Sequence, residues 1–497
     1  MPVTYAPTNS LFNQQSNRIQ EILNKNIEVF LPALDPAWRD TTVSSQGVGQ
    51  ASLIGRDMKI LKIYMGSMAG VLEMNADTAF TLYGDNTITN VADKLQTQGL
   101  TTTWPDATDG ALARPYRLGV NMKAMASNLL VTLGEMQAEA TPAFIGEILA
   151  PKLEGHARLI AHTLCNYWYI SDNTNYSLGT ITSRTLSASG TTSTLVFTPG
   201  GQNVDRYAVG MRVDIFDSTG ATRRNESGGV RSSAFVSKVD EVVGTVTITI
   251  LNNTSTGIIN TDIVTFANSK GYGIAGINSW LKSSGDLLGN DADTNNRIDV
   301  GVHPEFKSFF KSSVGTLTEH KLRQYLRGFH RAKEKYGQYM DCLIASDGVW
   351  LNYEAQKIGQ YQIDRTNRLS SLTNEGSQEG FKFTFDGRTY TGYTSNYIEA
   401  GTVYGLRKGG ANWKKYVPPS PKGTQKFDKA EAFIPFEFVA PALGYSSVKV
   451  PITKSVNNLS LLTEGAQMPG MLRMQLVPDQ PAGMKLTGVT EDRQYGD

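Results

Sequence analysis

The chain has 497 residues, 40% hydrophobic and 19% charged, with a formal net charge of +1. That composition supplies ample core and excludes bulk disorder, and the length suggests roughly three domains. No uninterrupted apolar run approaches the ~20 residues of a membrane helix, and near-neutrality excludes a global basic field that would draw the chain onto nucleic acid.

Low net charge suits a protein whose main partner is itself, since strong like charge opposes dense self-packing. The start, Met1-Pro2-Val3-Thr4-Tyr5, lacks the basic head and apolar stretch of a secretory signal, which reads as a soluble protein made in a cytoplasm. The two cysteines, Cys165 and Cys342, are far apart and form neither a disulfide framework nor a zinc knuckle; both are expected to be buried small hydrophobes.

Residues 1–51 read as an arm. Ile19, Ile22, Leu23, Ile27 and Phe30 recur at helical spacing over 17–30, Pro32 and Pro36 break the pattern, and 41–50 is rich in Ser, Thr and Gly. Residues 52–123 read as a two-stranded excursion, outgoing over 58–65 and returning over 116–122, with Gly, Asn, Thr and Asp-rich segments between. An isolated ribbon is marginal in water. Arm and ribbon are therefore expected to lack a home within their own subunit and to be completed by neighbours.

A long helix is expected over 141–170. Thr141 suits the N-cap and Pro142 the first turn; Phe144, Ile145, Ile148, Leu149, Leu153, Leu159, Ile160, Leu164, Tyr167 and Trp168 recur three or four residues apart, and Pro151 should kink or split the helix. Residues 177–270 turn to Ser, Thr, Gly and Asn with short alternating runs at 194–197, 211–215, 235–239 and 246–250, which reads as a small all-β sandwich or barrel inserted into the chain. From 275 to 420, helices (277–288, 304–312, 318–335) alternate with strands (342–345, 381–385, 389–393, 402–406), an Asp386-Gly387 turn joins two of these strands, and Pro418-Pro419-Ser420-Pro421 marks a boundary. The tail has β-runs at 432–439 and 446–450 and ends polar.

Gly271, Gly273 and Gly276 fit GxGxxG after a β-run, with Asp291 and Asp293 downstream, but the strand before them closes a β-module instead of opening βαβ units, so the expectation is a flexible junction. Asp291, Asp293, Asn295 and Asp299 resemble the start of a calcium loop; Val302 occupies the twelfth position, where a bidentate carboxylate belongs, so a solvated Asx-rich turn is expected. His156 and His162 lie on different helix faces, and His303, His320 and His330 show no metal spacing. Neither a nucleophile elbow nor a phosphate loop occurs. No catalytic, cofactor or metal residue is therefore assigned, and no enzyme is expected. Arg323, Arg327, Arg331, Lys333 and Lys335 give a basic helical stretch, either a solvated face or a contact for an acidic neighbouring subunit or packaged DNA.

The order of elements carries a resemblance: arm, long extended loop, long spine-like helix, α/β domain and β-returning tail. Val209-Gly210-Met211-Arg212-Val213-Asp214, then Val239-Asp240, then Gly276-Ile277-Asn278-Ser279-Trp280-Leu281 are similar to insertion-bearing members of the same group. The chain resembles the major capsid proteins of tailed bacteriophages, the Hong Kong 97-type fold.

The resemblance implies an α+β chain with an N-terminal arm (1–51), an extended loop (52–118), a spine-helix peripheral domain (119–176), an inserted all-β domain (177–272), an axial domain (273–420) and a C-terminal return to the peripheral and axial domains (421–497). It implies copies assembling as hexamers and pentamers into an icosahedral virion shell, synthesised in the bacterial host cytoplasm. The partners it implies are a portal protein, scaffolding and decoration proteins, and packaged double-stranded DNA through weak non-specific contact, with no membrane. Assembly contacts are assigned to Lys59, Lys62, Tyr64, Lys94, Trp104, Arg114 and Arg117 in the loop region and to Arg323 and Arg327 on the basic helix. Some relatives cross-link this loop to a neighbour through Lys and Asn; Lys94 lies in it, and no partner is assigned to it. No self-cleaved propeptide is expected. The alternatives are an encapsulin-like compartment shell and, from another class, a soluble enzyme or ligand-binding protein whose β-module holds the ligand.

Overall fold

The long helix at Ala150–Tyr169 is the element around which the chain is organised. The structure, a computed structural model, describes residues 23, 26–27, 29–44, 53–54, 59–65, 115–132, 150–170, 174–189, 192–199, 204–227, 230–251, 257–361, 381–415, 437–438, 454–456, 459–461 and 465–491. The expected start of the helix at Thr141 and Pro142 lies outside them. Leu153, Ala157, Ile160, Ala161, Leu164, Cys165 and Trp168 form its buried stripe. Pro151 is the second residue of the helix as described, and the preceding turn, on which the expected kink depends, lies outside the described residues.

Trp168 is the centre of an edge-on aromatic ladder, with Trp38 at 5.4 Å on one side and Trp280 at 5.7 Å on the other. Trp38 belongs to the arm. Leu23, Ile27, Leu31, Ala37 and Trp38 are all buried in the same core as the long helix, and Arg158 lies over the Phe30 ring at 5.0 Å. For the described part of the arm, the expectation of no home within its own subunit is therefore corrected. Its apolar stripe and Trp38 are enough to seat it.

The Ser/Thr-rich middle forms a closed six-stranded barrel of Ser177–Ser189, Thr192–Pro199, Arg212–Phe216, Ala234–Asp240, Thr245–Leu251 and Ile263–Phe266. Burial alternates strictly along Thr192–Pro199 and Thr245–Leu251, so Leu195, Phe197, Val246, Ile248 and Ile250 fill the interior with Val213, Ile215, Val236 and Val264. These buried side chains make the barrel interior part of the hydrophobic core.

A six-stranded mixed sheet follows in the order Phe309–Lys311, Met484–Leu486, Val403–Leu406, Cys342–Ala345, Arg388–Thr394, Phe381–Phe385. Asp386 (φ 49°) and Gly387 (φ 73°) are the two central residues of its tight hairpin, as the Asp-Gly pair predicts. The helix Glu319–Lys333 starts at Thr318, whose side chain accepts from the Lys321 N–H, and Leu322, Tyr325, Leu326 and Phe329 are its buried face, as expected. Both cysteines are buried thiols, and the Cys342 thiol donates to the Leu406 carbonyl at 3.2 Å.

Two helix expectations are corrected. Over 277–288 only Ile277–Trp280 is helical: Leu281 leaves the helical region (φ −76°, ψ 86°), and a short 3-10 turn follows at Gly289–Asp291. Over 304–312 the chain makes turns and then the strand Phe309–Lys311, which gains its ladder from Met484–Leu486, remote in sequence.

A second sheet is built on one long strand, Gly465–Pro478. It pairs with Lys123–Thr132, Ala411–Lys415 and Glu437–Phe438, and Thr42–Ser44 adds to the far side of Ala411–Lys415. Of the expected tail strands, 446–450 lies outside the described residues.

Candidate functional site: the ribbon root and the basic helix

The ribbon expected near the front exists at its base. Lys59–Met65 pairs antiparallel with Pro115–Asn121, and Leu53–Ile54 adds outside Lys59–Met65. Alternation puts Tyr64, Leu118 and Val120 on a buried face, while Ile63 and Arg117 stay exposed. Tyr64 and Tyr116 pack on Phe306 at 5.6 and 5.1 Å. The Tyr64 hydroxyl donates to the Pro478 carbonyl at 2.5 Å, and Lys62 pairs with Asp479. Burial and the Asp479 charge hold the Tyr64 hydroxyl well above its usual range.

The other strand is closed by residues 292–296. The Gly119 N–H donates to the Asn296 carbonyl at 2.9 Å, and the Asp293 N–H to the Gly119 carbonyl at 2.7 Å. A Cβ at Gly119 would lie 2.7 Å from the Asp293 Cβ, so only glycine allows this approach. Fully buried Gln475 then joins root to core: its amide donates to the Asn121 carbonyl at 3.0 Å, and its oxygen accepts from the Ala275 N–H at 2.8 Å. The expectation that this ribbon has no home in its own subunit is corrected for the described root.

The acidic turn is solvated only in its second half, where Asn295 and Asp299 are exposed and Asp299 accepts from the Gly301 N–H at 2.8 Å; for its first half the expectation is corrected. Asp291 and Asp293 are buried, not solvated. Both Asp291 oxygens accept from the Tyr176 hydroxyl at 2.6 Å, and Lys123 Nζ lies 3.4 Å away. Burial pushes the Asp291 carboxyl up to about 6 against the pull of Tyr176 and Lys123. The side chain thus ties the start of strand Lys123–Thr132, just past the returning ribbon strand, to the barrel entrance, and among the described residues no group of three or more His, Cys, Asp or Glu is placed to hold a metal.

The glycine motif serves packing. A Cβ at Gly273 would lie 2.2 Å from the Tyr176 ring, and one at Gly276 would lie 2.1 Å from the Tyr167 carbonyl oxygen. The expected flexible junction is a tight crossing over the end of the long helix.

Arg206 was not singled out from sequence, yet it is a buried charge that bridges three elements. Only 1% exposed, its guanidinium donates to the carbonyls of Tyr397 (2.9 Å), Leu178 (3.1 Å) and Tyr169 (3.2 Å). It thereby joins the barrel, the C-terminal end of the long helix and the segment following strand Arg388–Thr394. Its own carbonyl accepts from Asn166 Nδ2 at 3.2 Å and lies 3.0 Å from His162 Nε2. That contact makes Nε2 the protonated nitrogen and leaves Nδ1 to accept from the Tyr397 hydroxyl at 3.0 Å. Burial holds His162 below its usual range. Nothing in local sequence marks Arg206, because its acceptors are backbone atoms on remote elements.

The basic helix is a mixed-charge face. Arg323 and Arg327 lie over one Phe385 ring at 5.2 and 5.1 Å, Arg323 paired with Glu319 and Arg327 bonded to Asp386 at 3.0 Å. Arg388 pairs with Glu334 and donates to His330 Nδ1 at 2.7 Å. Lys333 is buried with its ammonium on the Pro304 carbonyl at 2.7 Å, and burial draws it down to about 8. Lys333 is therefore a core contact and no part of a basic surface.

The residues given assembly roles from sequence separate accordingly. Lys62 and Tyr64 are engaged within their own chain, Lys62 while remaining partly exposed. Arg117 is exposed beside them, and Arg323 and Arg327 are exposed at the far end of the molecule's mixed sheet. The Lys59 side chain, and Lys94, Trp104 and Arg114 altogether, lie outside what is described.

No family model matches the chain, and no curated protein matches its sequence. Among solved structures it is similar to a cyanophage A-1(L) capsid asymmetric unit, at 10% identity and a TM-score of 0.40, covering 93% of this chain and 92% of that one. It is also similar to a structure from Mycobacterium phage Patience, at 8% identity and a TM-score of 0.30, covering 97% and 90%. A Synechococcus elongatus encapsulin complex matches 36% of this chain and 52% of its own, at 13% identity and a TM-score of 0.19. No helix among the described residues is long and apolar enough to cross a membrane.

Proposed function

We propose that the chain is a structural shell subunit, the major capsid protein of a tailed bacteriophage, with a Hong Kong 97-type arrangement and an inserted barrel. In this reading copies assemble as hexamers and pentamers around double-stranded DNA, with portal, scaffolding and decoration proteins as partners, and the chain performs no catalysis. The single observation that supports it is the anchored ribbon root. Two strands leaving the core side by side are clamped by Tyr64, Lys62 and Gly119 to the end of the longest strand and to residues 292–296. A subunit that offers a long loop to a neighbour needs such a root, because an isolated ribbon holds no fixed direction.

Lys62→Glu tests this. The Lys62–Asp479 pair is partly exposed, so reversing the charge costs the monomer only on the order of 1 kcal/mol. The ribbon direction, however, is perturbed in every copy, and repeated small errors accumulate in a closed assembly. The expected result is an unchanged circular dichroism spectrum with particle yield reduced about tenfold or more. Equal particle yield from variant and wild type would remove the root as support.

A further inference from the structure

The arm seat contains a buried acid that the shell reading does not use. Asp35 is 0% exposed, at the junction between helical residues 29–34 and the helix Pro36–Thr41. Its Oδ1 caps that helix by accepting from the Ala37 N–H at 3.1 Å, and the whole carboxyl group is enclosed. The groups that face it are Tyr169 and Cys165 on the long helix, Ser395 and Tyr397 after strand Arg388–Thr394, and the backbone N–H groups of Ala37 and Trp38. None of these carries a positive charge. Behind them, His162 is bound to Tyr397, and the Arg206 guanidinium is turned to the carbonyls of Tyr397, Leu178 and Tyr169.

We propose that the arm is a proton-dependent latch: residues 29–41 seat against the long helix with Asp35 protonated, and ionisation of Asp35 loosens the seat. The geometry is a carboxyl enclosed by tyrosines and a thiol, on a segment joined to the core mainly through Leu31, Ala37 and Trp38. A carboxylate there must either acquire a counter-charge or reach water, and the shortest route to water is to lift the segment that carries it. Burial pushes the Asp35 carboxyl up from 3.8 to about 7, against the smaller opposing effect of the polar groups around it. The folded value is raised, so the stabilisation of the seat is complete below about pH 4, declines as pH rises toward 7, and is lost above that. Alkaline conditions release the arm and acidic conditions hold it. The same ionisation exposes Leu31 and Trp38, the residues the arm would present elsewhere.

Amide hydrogen exchange of the full chain, followed by mass spectrometry over 31–41 and corrected for intrinsic rates, tests the latch. Between about pH 6 and about pH 8.5, wild-type protection is expected to fall about tenfold. In Asp35→Asn, which keeps the cap acceptor without the charge, protection should be flat across that range. Flat protection in the wild type, or an equal fall in the variant, overturns the proposal. A carbon-13 titration of the Asp35 carboxyl in the wild type serves even where the variant fails to fold: a midpoint near 7 agrees, and one at or below about 4 overturns it.

Discussion

Arg206→Ala is expected to destabilise the protein by on the order of 3–5 kcal/mol, the largest effect of any single substitution considered. The wild-type guanidinium satisfies carbonyls on three separate elements, and one of them, Tyr169, ends the long helix, where the backbone dipoles leave partial negative charge. Alanine removes all three donors at once and leaves a void where a fully enclosed side chain stood. Arg206→Lys keeps the charge but offers a point donor to a fork-shaped arrangement, so it should recover only a minor part of the loss. Urea denaturation followed by tryptophan fluorescence reads this directly, because Trp168 and Trp280 sit close to the same helix end. A midpoint for Arg206→Ala matching the wild type would show that the three contacts carry no net stability.

Gly276→Ala is expected to cost about 1–3 kcal/mol or more by overpacking. The new methyl would meet the Tyr167 carbonyl oxygen at 2.1 Å and the Trp168 carbonyl oxygen at 2.6 Å. Both are backbone atoms at the end of a packed helix and cannot rotate away. Gly285→Ala is an informative companion, since a Cβ there meets no atom within 4 Å and only its positive φ (74°) opposes the change. A melting transition lower for Gly276→Ala than for Gly285→Ala supports the packing role. The reverse order would return the glycine triplet to the flexible junction read from sequence.

Elements whose stabilising partners lie close by were legible in the sequence. The helix Glu319–Lys333 has its own cap and apolar stripe, and the hairpin at Asp386-Gly387 has the residue pair that its turn requires. Four barrel strands were readable from alternation, but Ser177–Ser189 was not, because its outer half is largely exposed and carries few apolar residues. The strand Gly465–Pro478 was missed because Gly465, Pro469 and Gly470 read as breakers, although ten consecutive residues pair with Lys123–Thr132. The helix Asp347–Tyr361 was also missed; its apolar residues are too scattered to give a strong stripe.

The candidate site was legible only in outline. The two ribbon strands could be paired from their alternation, but no local pattern signals that their root is held by Pro478, Asp479 and Asn296, all far away in the chain. That omission matters to the functional argument. Dependence on neighbours was expected from arm and ribbon alike, whereas the described parts of both are seated on their own core. The functional reading therefore rests on the anchored root and is tested by assembly itself.

Negative-stain electron microscopy of the purified full-length chain, expressed alone and with a scaffolding partner, tests that directly. Closed particles of uniform size, or rings of five and six copies, are the predicted result. A 54.3 kDa monomer persisting in every condition, with the scaffold present, would contradict the shell assignment.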